Sequence, residues 1–457
     1  MRQRLLAGAI LLLTFLVFLP AIYYELVYDD IEQLVNNPRL TAWSYVPGYF
    51  TNQLWANIPG QVPFYYRPVF LLWFRLLYAT MGGPGELWHL ASIVAHLVAT
   101  ACVFVFLRRL TGEFKGAALA SALFAVHPIH TEVVAWVSAS GDLLLTIFLV
   151  LSVYFYVRRK GAISIPSILF AFLAMFTKEV GIVAPVLIFA YEWIESRFKN
   201  ALVSTLPYAV AALLYIAFRV NAVRSLMIAE DPAMSVGAMV LTWPRVLATY
   251  AYHLVWPMHL SPCYDVPVVT AIWPLLLLIV VIASLLWLLR GSCANVRFGT
   301  AWFAITLAPA LAIRYITWHD YVHDRYLYLP SVGLALIAAV WLGRIRFSVP
   351  RALAGCAVVL VLGLGTRLDL PIWHDNIALF RRALETAPGN PAVKTSLAEA
   401  YLKAHREAEA FPLLQQIIQQ YPRKAVANYN MGLYYQQIGN PQAAEYYFSL
   451  SDQLSGN

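Results

Sequence analysis

The sequence is poor in cysteine and in charge, and each shortage excludes a class of protein. The four cysteines among 457 residues have no metal-ligand spacing and form no disulfide framework. Charged residues make up 12% of the chain and hydrophobic residues 61%, a balance typical of a protein that crosses a membrane many times. The net charge of +8 comes mostly from clusters between apolar runs. We interpret it as contact with membrane lipids, not nucleic acid.

Apolar runs separated by basic clusters predict about eleven membrane spans, with the N-terminus in the cytoplasm and the C-terminus outside. Segment 241–256 is apolar enough to span, but counting it would place Arg290 and Arg297 outside. We therefore interpret it as a re-entrant or interfacial helix on the outer face. Run 5–24 lacks a cleavage pattern and is interpreted as a retained signal anchor. The predicted spans are 5–24, 87–107, 117–127, 134–157, 163–177, 180–194, 201–219, 269–289, 298–313, 329–343 and 352–366.

Two domains are predicted, a membrane domain over 1–370 and a repeat domain over 371–457. In the first, the aromatic stretch 25–86 is too polar to span, so we expect short helices lying on the outer leaflet. The second has a 34-residue self-similarity, the period of a tetratricopeptide repeat, and contains half a repeat plus two units. The predicted fold is all-α, a polytopic membrane helical bundle followed by an α-solenoid. The repeat positions are Leu397, Ala398, Tyr401, Ala410, Leu414 and Pro422, then Met431, Gly432, Tyr435, Ala444 and Phe448.

An acidic pair, Asp29 and Asp30, follows the first apolar run at its predicted outer end. Two adjacent carboxylates repel each other, and each costs more to keep ionised beside lipid than in open water. Catalysis or cation binding explains such a pair more readily than packing does. The structural alternative, a solvated acidic turn that caps a helix, fits the position equally well.

The predicted outer loops also collect nearly all the other polar residues of the membrane domain. Cations and histidines from four loops converge on the face that carries the acidic pair, which favours a functional site. The candidate binding residues are Arg67, His127, His130, Lys178, Glu179, Arg325 and Tyr326. The same loops also carry Arg75, Glu132, His319, Asp320, His323 and Asp324.

Each candidate also has a structural interpretation. Arg67 can extend to lipid headgroups, and Lys178 can pair locally with Glu179. His127 and His130 can cap a turn or supply two ligands of a metal ion, for which the sequence offers no clear third ligand. The run that contains Arg325 can anchor the chain at the membrane interface. The metal content of the site is left open.

Acids beside cations at an outer membrane face suit glycosyl transfer from a polyprenyl-phosphate sugar. A carboxylate takes the proton of an acceptor hydroxyl as that oxygen attacks the anomeric carbon. The departing lipid phosphate then needs positive charge, not a general acid. A glycoside hydrolase would need two separated carboxylates instead. We therefore expect Arg325 and His127 to lie within reach of a phosphate placed near Asp29.

Several motifs resemble those of the transmembrane O-mannosyltransferases with tetratricopeptide repeats. They occur in order along the whole chain, and the histidine and Arg-Tyr-Leu-Tyr motifs are fairly specific. The motifs are Tyr28-Asp29-Asp30 with Asn36-Asn37-Pro38, Tyr66-Arg67-Pro68, the run from Phe124 to Glu132 followed by Trp136-Val137-Ser138, Lys178-Glu179, and the run from Asp324 to Ser331.

The resemblance implies a family C glycosyltransferase fold, similar to protein O-mannosyltransferases, oligosaccharyltransferases and aminoarabinose transferases. By analogy, Asp29 is the catalytic carboxylate and Asp30 assists it. Some relatives of this fold hold a divalent cation at the acidic motif, and the protein O-mannosyltransferases need none. No other cofactor is implied. Eukaryotic members carry long repeat arrays, so the shorter tail resembles a prokaryotic member with its repeats in the periplasm.

The leading hypothesis is therefore inverting transfer of a sugar, mannose by analogy, from a polyprenyl-phosphate donor to Ser or Thr of an exported protein. The expected partners are that lipid-linked sugar, membrane lipids and an acceptor protein bound through the repeats. One alternative keeps the chemistry but uses a lipid or cell-envelope glycan as the acceptor. Another is a membrane-anchored scaffold with no catalysis. Both the acidic pair and the repeats are expected on the extracytoplasmic side of the inner or plasma membrane.

Overall fold

The computed structural model describes residues 2–56, 64–159, 164–196, 198–224, 234–315, 321–345 and 348–455. All regular secondary structure in these ranges is helical, which confirms the predicted all-α class. The α-helices are α1 (Arg2–Phe18), α2 (Val46–Thr51), α3 (Pro68–Met81), α4 (Glu86–Thr111), α5 (Phe114–Ala125), α6 (Thr131–Ala135), α7 (Ser140–Arg158), α8 (Ile165–Thr177), α9 (Ala184–Glu195), α10 (Phe198–Val223), α11 (Val236–Val255), α12 (Trp273–Leu289), α13 (Ala294–Leu307), α14 (Tyr328–Arg344), α15 (Val349–Asp369), α16 (Asn376–Thr386), α17 (Pro391–Lys403), α18 (Glu407–Gln420), α19 (Ala425–Gln437) and α20 (Pro441–Ser455).

Several of these helices are long and apolar enough to cross a bilayer, so the chain is an integral membrane protein. Six helical stretches in the described ranges have the length and apolar composition of a membrane span. Each of them matches one of the eleven predicted spans. A seventh match is a bent pair, Phe114–Ala125 with Pro128–Ala135, at 56°. The other four predicted spans overlap α8, α9, α12 and α13, which have 12 to 17 residues. Because such helices are shorter than a perpendicular crossing, the count of eleven stays a prediction.

Two segments set apart as non-spanning are built from short or interrupted helices. Within 25–86, the chain forms a π-helical turn at Ile31–Val35, 3₁₀ turns at Pro38–Leu40 and Trp43–Tyr45, and helices α2 and α3. Segment 241–256 lies almost wholly in α11, a twenty-residue helix with an internal proline that is not among the membrane-capable helices.

Small residues let the central helices of the bundle approach closely. A Cβ atom added to Gly333 of α14 would lie 2.4 Å from the carbonyl oxygen of Gly299 in α13. A Cβ atom added to Gly116 of α5 would lie 2.4 Å from the carbonyl oxygen of Ala339, also in α14. Such contacts between small residues are typical of helix packing in membranes. They fix α14, whose first turn directly follows the Asp324–Leu327 turn.

The last five helices follow α15 through a 3₁₀ turn at Leu370–Trp373. Each of them packs against the next, and α17 also contacts α19. The tail touches the membrane-domain residues through aromatic rings: Trp373 stacks on Trp136 at 6.0 Å between centroids, and Phe380 meets Tyr28 edge-on at 5.7 Å. The assignment of these helices to tetratricopeptide repeats stays a prediction.

Candidate functional site

The acidic pair lies in a tight turn beyond the first membrane helix. Tyr28 has a positive φ of 55°, so the chain reverses sharply just before Asp29. Asp29 is half-buried, whereas Asp30 is completely buried. Oδ1 of Asp30 accepts hydrogen bonds from the backbone N–H and the hydroxyl of Ser138, at 2.7 and 2.5 Å. Its Oδ2 accepts the N–H of Val27 at 3.3 Å.

The two carboxylates therefore have different surroundings. Oδ1 of Asp30 attaches the turn to the segment that contains Ser138, and Oδ2 closes the turn on itself through the N–H of Val27. Burial raises the pKa of Asp30 to about 7, against the lowering effect of these hydrogen bonds, and the charge of Asp29 raises it slightly further. Asp30 is thus a buried acid held by its neighbours, whereas Asp29 is the more exposed carboxylate of the pair.

Three ion pairs form a second part of the site. Nε of Arg67 lies 2.9 Å from Oε2 of Glu179, and the Tyr66 N–H donates to the other oxygen of the same carboxylate at 3.1 Å. Lys178 donates to both oxygens of Asp142, at 2.7 and 2.6 Å. Each of these side chains is less than a third exposed. The third ion pair joins the Arg325 guanidinium to Glu132, whose side chain is 2% exposed.

The three cations of these pairs lie close together. The ring of Tyr326 is 5.0 Å from Cζ of Arg325 and 5.9 Å from Nζ of Lys178, measured to its centroid. Burial lowers the pKa of Lys178, Asp142 opposes this, and the positive charges of Arg67 and Arg325 lower it further. Burial opposes ionisation of Arg67 too, but Glu179, together with Tyr65 and Asp142, outweighs burial and raises the pKa of Arg67. We call Arg67, Lys178 and Arg325 the cation cluster.

Residues 132–138 join the acidic turn to the cation cluster. At one end, Glu132 accepts the backbone N–H of Arg325 at 2.9 Å and pairs with its guanidinium. In the middle, the ring of Trp136 lies 5.2 Å from Cζ of Arg325 and 5.3 Å from the ring of Tyr28. At the other end, Ser138 binds Asp30. One short segment thus separates a carboxylate from a group of cations.

The two histidines of the histidine motif, unlike its Glu132, contact other groups. His127 accepts the N–H of Ile129 at 3.2 Å as the cap of a 3₁₀ turn, and its other ring nitrogen lies 3.2 Å from the carbonyl oxygen of Leu254. His130 is fully buried, lies 3.1 Å from the hydroxyl of Ser331 and packs against Tyr328. Both rings therefore have partners within the protein, and their predicted contact with the donor stays a prediction.

Arg75, a polar residue of the predicted outer loops, lies apart from the candidate site, whereas Asp142 belongs to the site but was not predicted. Arg75 donates to the carbonyl oxygen of Leu40 and lies over the ring of Trp43, away from the cation cluster. His319 and Asp320 lie outside the described residues. Asp142 was missed, although an acid inside a predicted span is a recognised signal of function.

Among the residues that the structure describes, no group of three or more His, Cys, Asp or Glu side chains is arranged to hold a metal ion. A divalent cation at Asp29 and Asp30 would therefore need further ligands from a substrate or from solvent. The arrangement of the protein residues suits two other tasks. Asp29 can accept a proton, and the cation cluster can stabilise a phosphate.

Comparison with known proteins confirms the resemblance that the motifs indicated. No family model matches the chain. The chain is 24% identical to protein O-mannosyl-transferase F38B6.6 of Caenorhabditis elegans, over 84% of this chain and 58% of the relative. It is 26% identical to human protein O-mannosyl-transferase TMTC1, over 89% of this chain and 54% of the relative. With human TMTC3 the identity is 24%, over 95% and 53%. The chain thus spans little more than half the length of these curated relatives.

Among solved structures, the chain is similar to the crystal structure of ArnT from Cupriavidus metallidurans bound to undecaprenyl phosphate. The match covers 96% of this chain and 76% of that one, with 17% identity and a TM-score of 0.39. A TM-score this low does not establish a common fold. The sequence relationship is clearer: over most of its length, this chain is similar to proteins named protein O-mannosyl-transferase.

Proposed function

We propose that this chain is a membrane glycosyltransferase. It would move a sugar, mannose by analogy with the relatives' names, from a polyprenyl-phosphate donor to a Ser or Thr hydroxyl of a polypeptide on the outer face of the membrane. The observation that carries the proposal is the segment 132–138, which contacts the acidic turn through Ser138 and Trp136 and the cation cluster through Glu132. A base and several cations separated by one short segment suit a reaction with an acidic leaving group.

In this proposal Asp29 is the general base. Its carboxylate takes the proton of the acceptor hydroxyl as the hydroxyl oxygen forms a bond to the anomeric carbon. The bond from that carbon to the phosphate oxygen breaks at the same time, so the anomeric configuration inverts. The electron pair leaves with the polyprenyl phosphate, and no second protein acid is required. Asp30 keeps the turn in place through Ser138.

The cation cluster would stabilise the negative charge on the leaving phosphate. A guanidinium has five N–H donors and an ammonium has three, and Lys178 donates to both oxygens of its Asp142 partner. The carboxylates Glu179, Asp142 and Glu132 hold the cations in place before the donor binds. Cations fixed in this way need no rearrangement when the charge develops.

Asp29→Asn tests the assignment of the base. The purified full-length chain, reconstituted in lipid nanodiscs, is given undecaprenyl-phosphate mannose carrying a radiolabel and a Ser/Thr-rich peptide. Because the amide cannot take the proton, we expect kcat to fall about 10²- to 10⁴-fold. The matched control is Glu32→Gln, a carboxylate three residues away that accepts a hydrogen bond from Asn36. Transfer by Asp29→Asn at the rate of the control would remove Asp29 from the mechanism.

Mass spectrometry separates a polypeptide acceptor from a lipid or glycan acceptor. Exported proteins and envelope lipids are compared between cells that contain the chain and cells that lack it, with the Asp29→Asn chain as the catalytic control. We expect hexose to be lost from Ser and Thr in both deficient cells. Loss confined to lipids or envelope glycans would transfer the proposal to that acceptor class. No loss in either fraction, with normal abundance of the chain, would favour the scaffold.

A further inference from the structure

Helix α16 of the tail contacts the membrane-domain residues at both of its ends, and the two contacts lead to different halves of the candidate site. Just before α16, the carbonyl oxygen of His374 accepts the N–H of Glu25 at 2.9 Å. At the first residue of the helix, Oδ1 of Asn376 accepts the N–H of Tyr28 at 2.9 Å. These bonds attach the tail to the acidic turn.

The backbone at Tyr28 explains why that attachment matters. A bulky residue with φ near +55° is strained, and this conformation persists only when its surroundings hold it. Asn376 holds the backbone N–H of Tyr28, while Trp136 and Phe380 contact its ring at 5.3 and 5.7 Å. Because Asp29 is the next residue, this conformation sets the direction of its carboxylate.

The other end of α16 is attached to the loop 260–266. The Thr386 hydroxyl lies 2.7 Å from both the hydroxyl of Ser261 and the carbonyl oxygen of Cys263. The carbonyl oxygen of Thr386 also accepts the backbone N–H of Asp265 at 3.1 Å. Within the loop, the N–H of Ser261 donates to the phenolic oxygen of Tyr264 at 2.7 Å.

From this loop the contacts continue to the cation cluster. The hydroxyl of Tyr264 donates to Oδ2 of Asp324 at 2.7 Å, and Nδ1 of His253 lies 3.0 Å from Oδ1. Asp324 is buried and directly precedes Arg325. A series of hydrogen bonds therefore runs from Thr386 to the backbone beside the guanidinium that Glu132 holds.

We propose that α16 is a brace that positions the two halves of the candidate site relative to each other. Asn376 fixes the turn that carries Asp29, and Thr386 fixes Asp324, and through it Arg325, by way of loop 260–266. Eleven helical residues are about 16 Å long and rigid, so both attachments are fixed by one element. This proposal rests on the proposed function, and it makes the start of the tail part of the catalytic unit. Asn376 and Thr386 are positioning residues, since neither is expected to touch a substrate.

Amide hydrogen exchange of the full-length chain in nanodiscs tests the brace without any substrate. The variants are Asn376→Ala and Thr386→Val, and the control is Arg381→Ala on the same helix, whose Nε binds Tyr401 inside the tail. We expect Asn376→Ala to speed exchange in 25–33 alone and Thr386→Val to speed it in 260–266 and 321–328 alone. Equal acceleration of all three regions by each variant, or by the control, would overturn the brace.

Transfer kinetics with undecaprenyl-phosphate mannose supply the second readout. Loss of one hydrogen bond should lower kcat of Asn376→Ala up to about tenfold, equivalent to about 1.4 kcal/mol, while KM for the donor stays unchanged. Glycine adopts a positive φ at no steric cost, so in a Tyr28→Gly background the same substitution should have less than about a threefold effect. An unchanged effect in that background would show that Asn376 does not act through the Tyr28 backbone. If the wild-type chain transfers nothing, the proposed function fails, and the exchange experiment still decides the brace.

Discussion

Residues 127–130 and residues 132–138 adjoin in the chain, and both contain side chains that commonly do chemistry. Their surroundings in the structure differ. His127 and His130 contact the carbonyl oxygen of Leu254 and the hydroxyl of Ser331, among packed rings. Glu132 and Ser138, in contrast, each hold a charged residue of the candidate site. The two segments differ in the partners that their side chains contact, and the residue types alone do not predict those partners.

The bend between the two helices accounts for this division. The apolar helix pair Phe114–Ala125 and Pro128–Ala135 breaks at His127 and turns by 56°. A break at membrane depth frees backbone groups that must find partners within the protein. His127 supplies one by capping the next turn. Only after the bend does the chain reach the acidic turn and Arg325.

Within this comparison of residues 127–130 and 132–138, the largest effect is expected from Glu132→Ala. Removing one member of a buried ion pair leaves the other charge uncompensated and costs about 3 kcal/mol or more. The same substitution removes the acceptor of the Arg325 backbone N–H. We expect the transfer rate to fall at least about 10²-fold, measured with undecaprenyl-phosphate mannose in nanodiscs.

A double-mutant cycle tests whether Glu132 acts through Arg325. If Glu132 acts through Arg325, then Glu132→Ala should add little to the loss already caused by Arg325→Ala, because the two side chains form one unit. Glu132→Gln retains an oxygen acceptor and should recover part of the activity. Fully additive losses would separate Glu132 from Arg325 and weaken the contrast between the two segments.

A smaller effect, and of a different kind, is expected from the histidines. His130→Phe loses the buried hydrogen bond to Ser331 and should lower the free energy of unfolding by about 1 to 3 kcal/mol. His127→Ala should lose about 1 kcal/mol as a lost cap, and His127→Asn, which can still cap, should lose less. For all three variants we expect an unchanged KM for the donor, with stability followed by thermal unfolding in nanodiscs. A rise in KM of tenfold or more, without loss of stability, would return the histidines to the donor site.

The sequence predicts the membrane helices well because hydrophobicity is a local property. Run 5–24 is found as the helical stretch Gln3–Tyr23, and the acidic pair follows it as expected. The short helices α8 and α9 were predicted as separate spans, and Lys178 and the 3₁₀ turn Glu179–Val183 do lie between them. Whether a short apolar helix crosses the bilayer depends on its neighbours, which a sequence window does not contain.

The ion pairs of the site, in contrast, could not be predicted from a local stretch of sequence. A local pair between Lys178 and Glu179 was one interpretation, yet Lys178 binds Asp142, 36 residues away, and Arg325 binds Glu132, 193 residues away. Adjacent residues in an extended stretch point in different directions, so the sequence neighbour was the wrong partner to expect. Asp142 could have been found, because a carboxylate in an apolar run needs a counter-charge.

The smallest effect is expected from pH, and it distinguishes the anchor from the base. Burial raises the pKa of Asp30 to about 7 in the folded chain, against an ordinary value of 3.8. The protonated form therefore stabilises the fold fully below about pH 4, and this stabilisation is lost as the pH rises through about 7. From pH 6.5 to 7.5 the loss should be about 0.7 kcal/mol. Hydrogen exchange of residues 25–33, corrected for the intrinsic pH dependence, measures it. Asp30→Asn cannot titrate, so its stability should be flat over that range, whereas a slope in the variant equal to that of the wild type would assign the titration to another group.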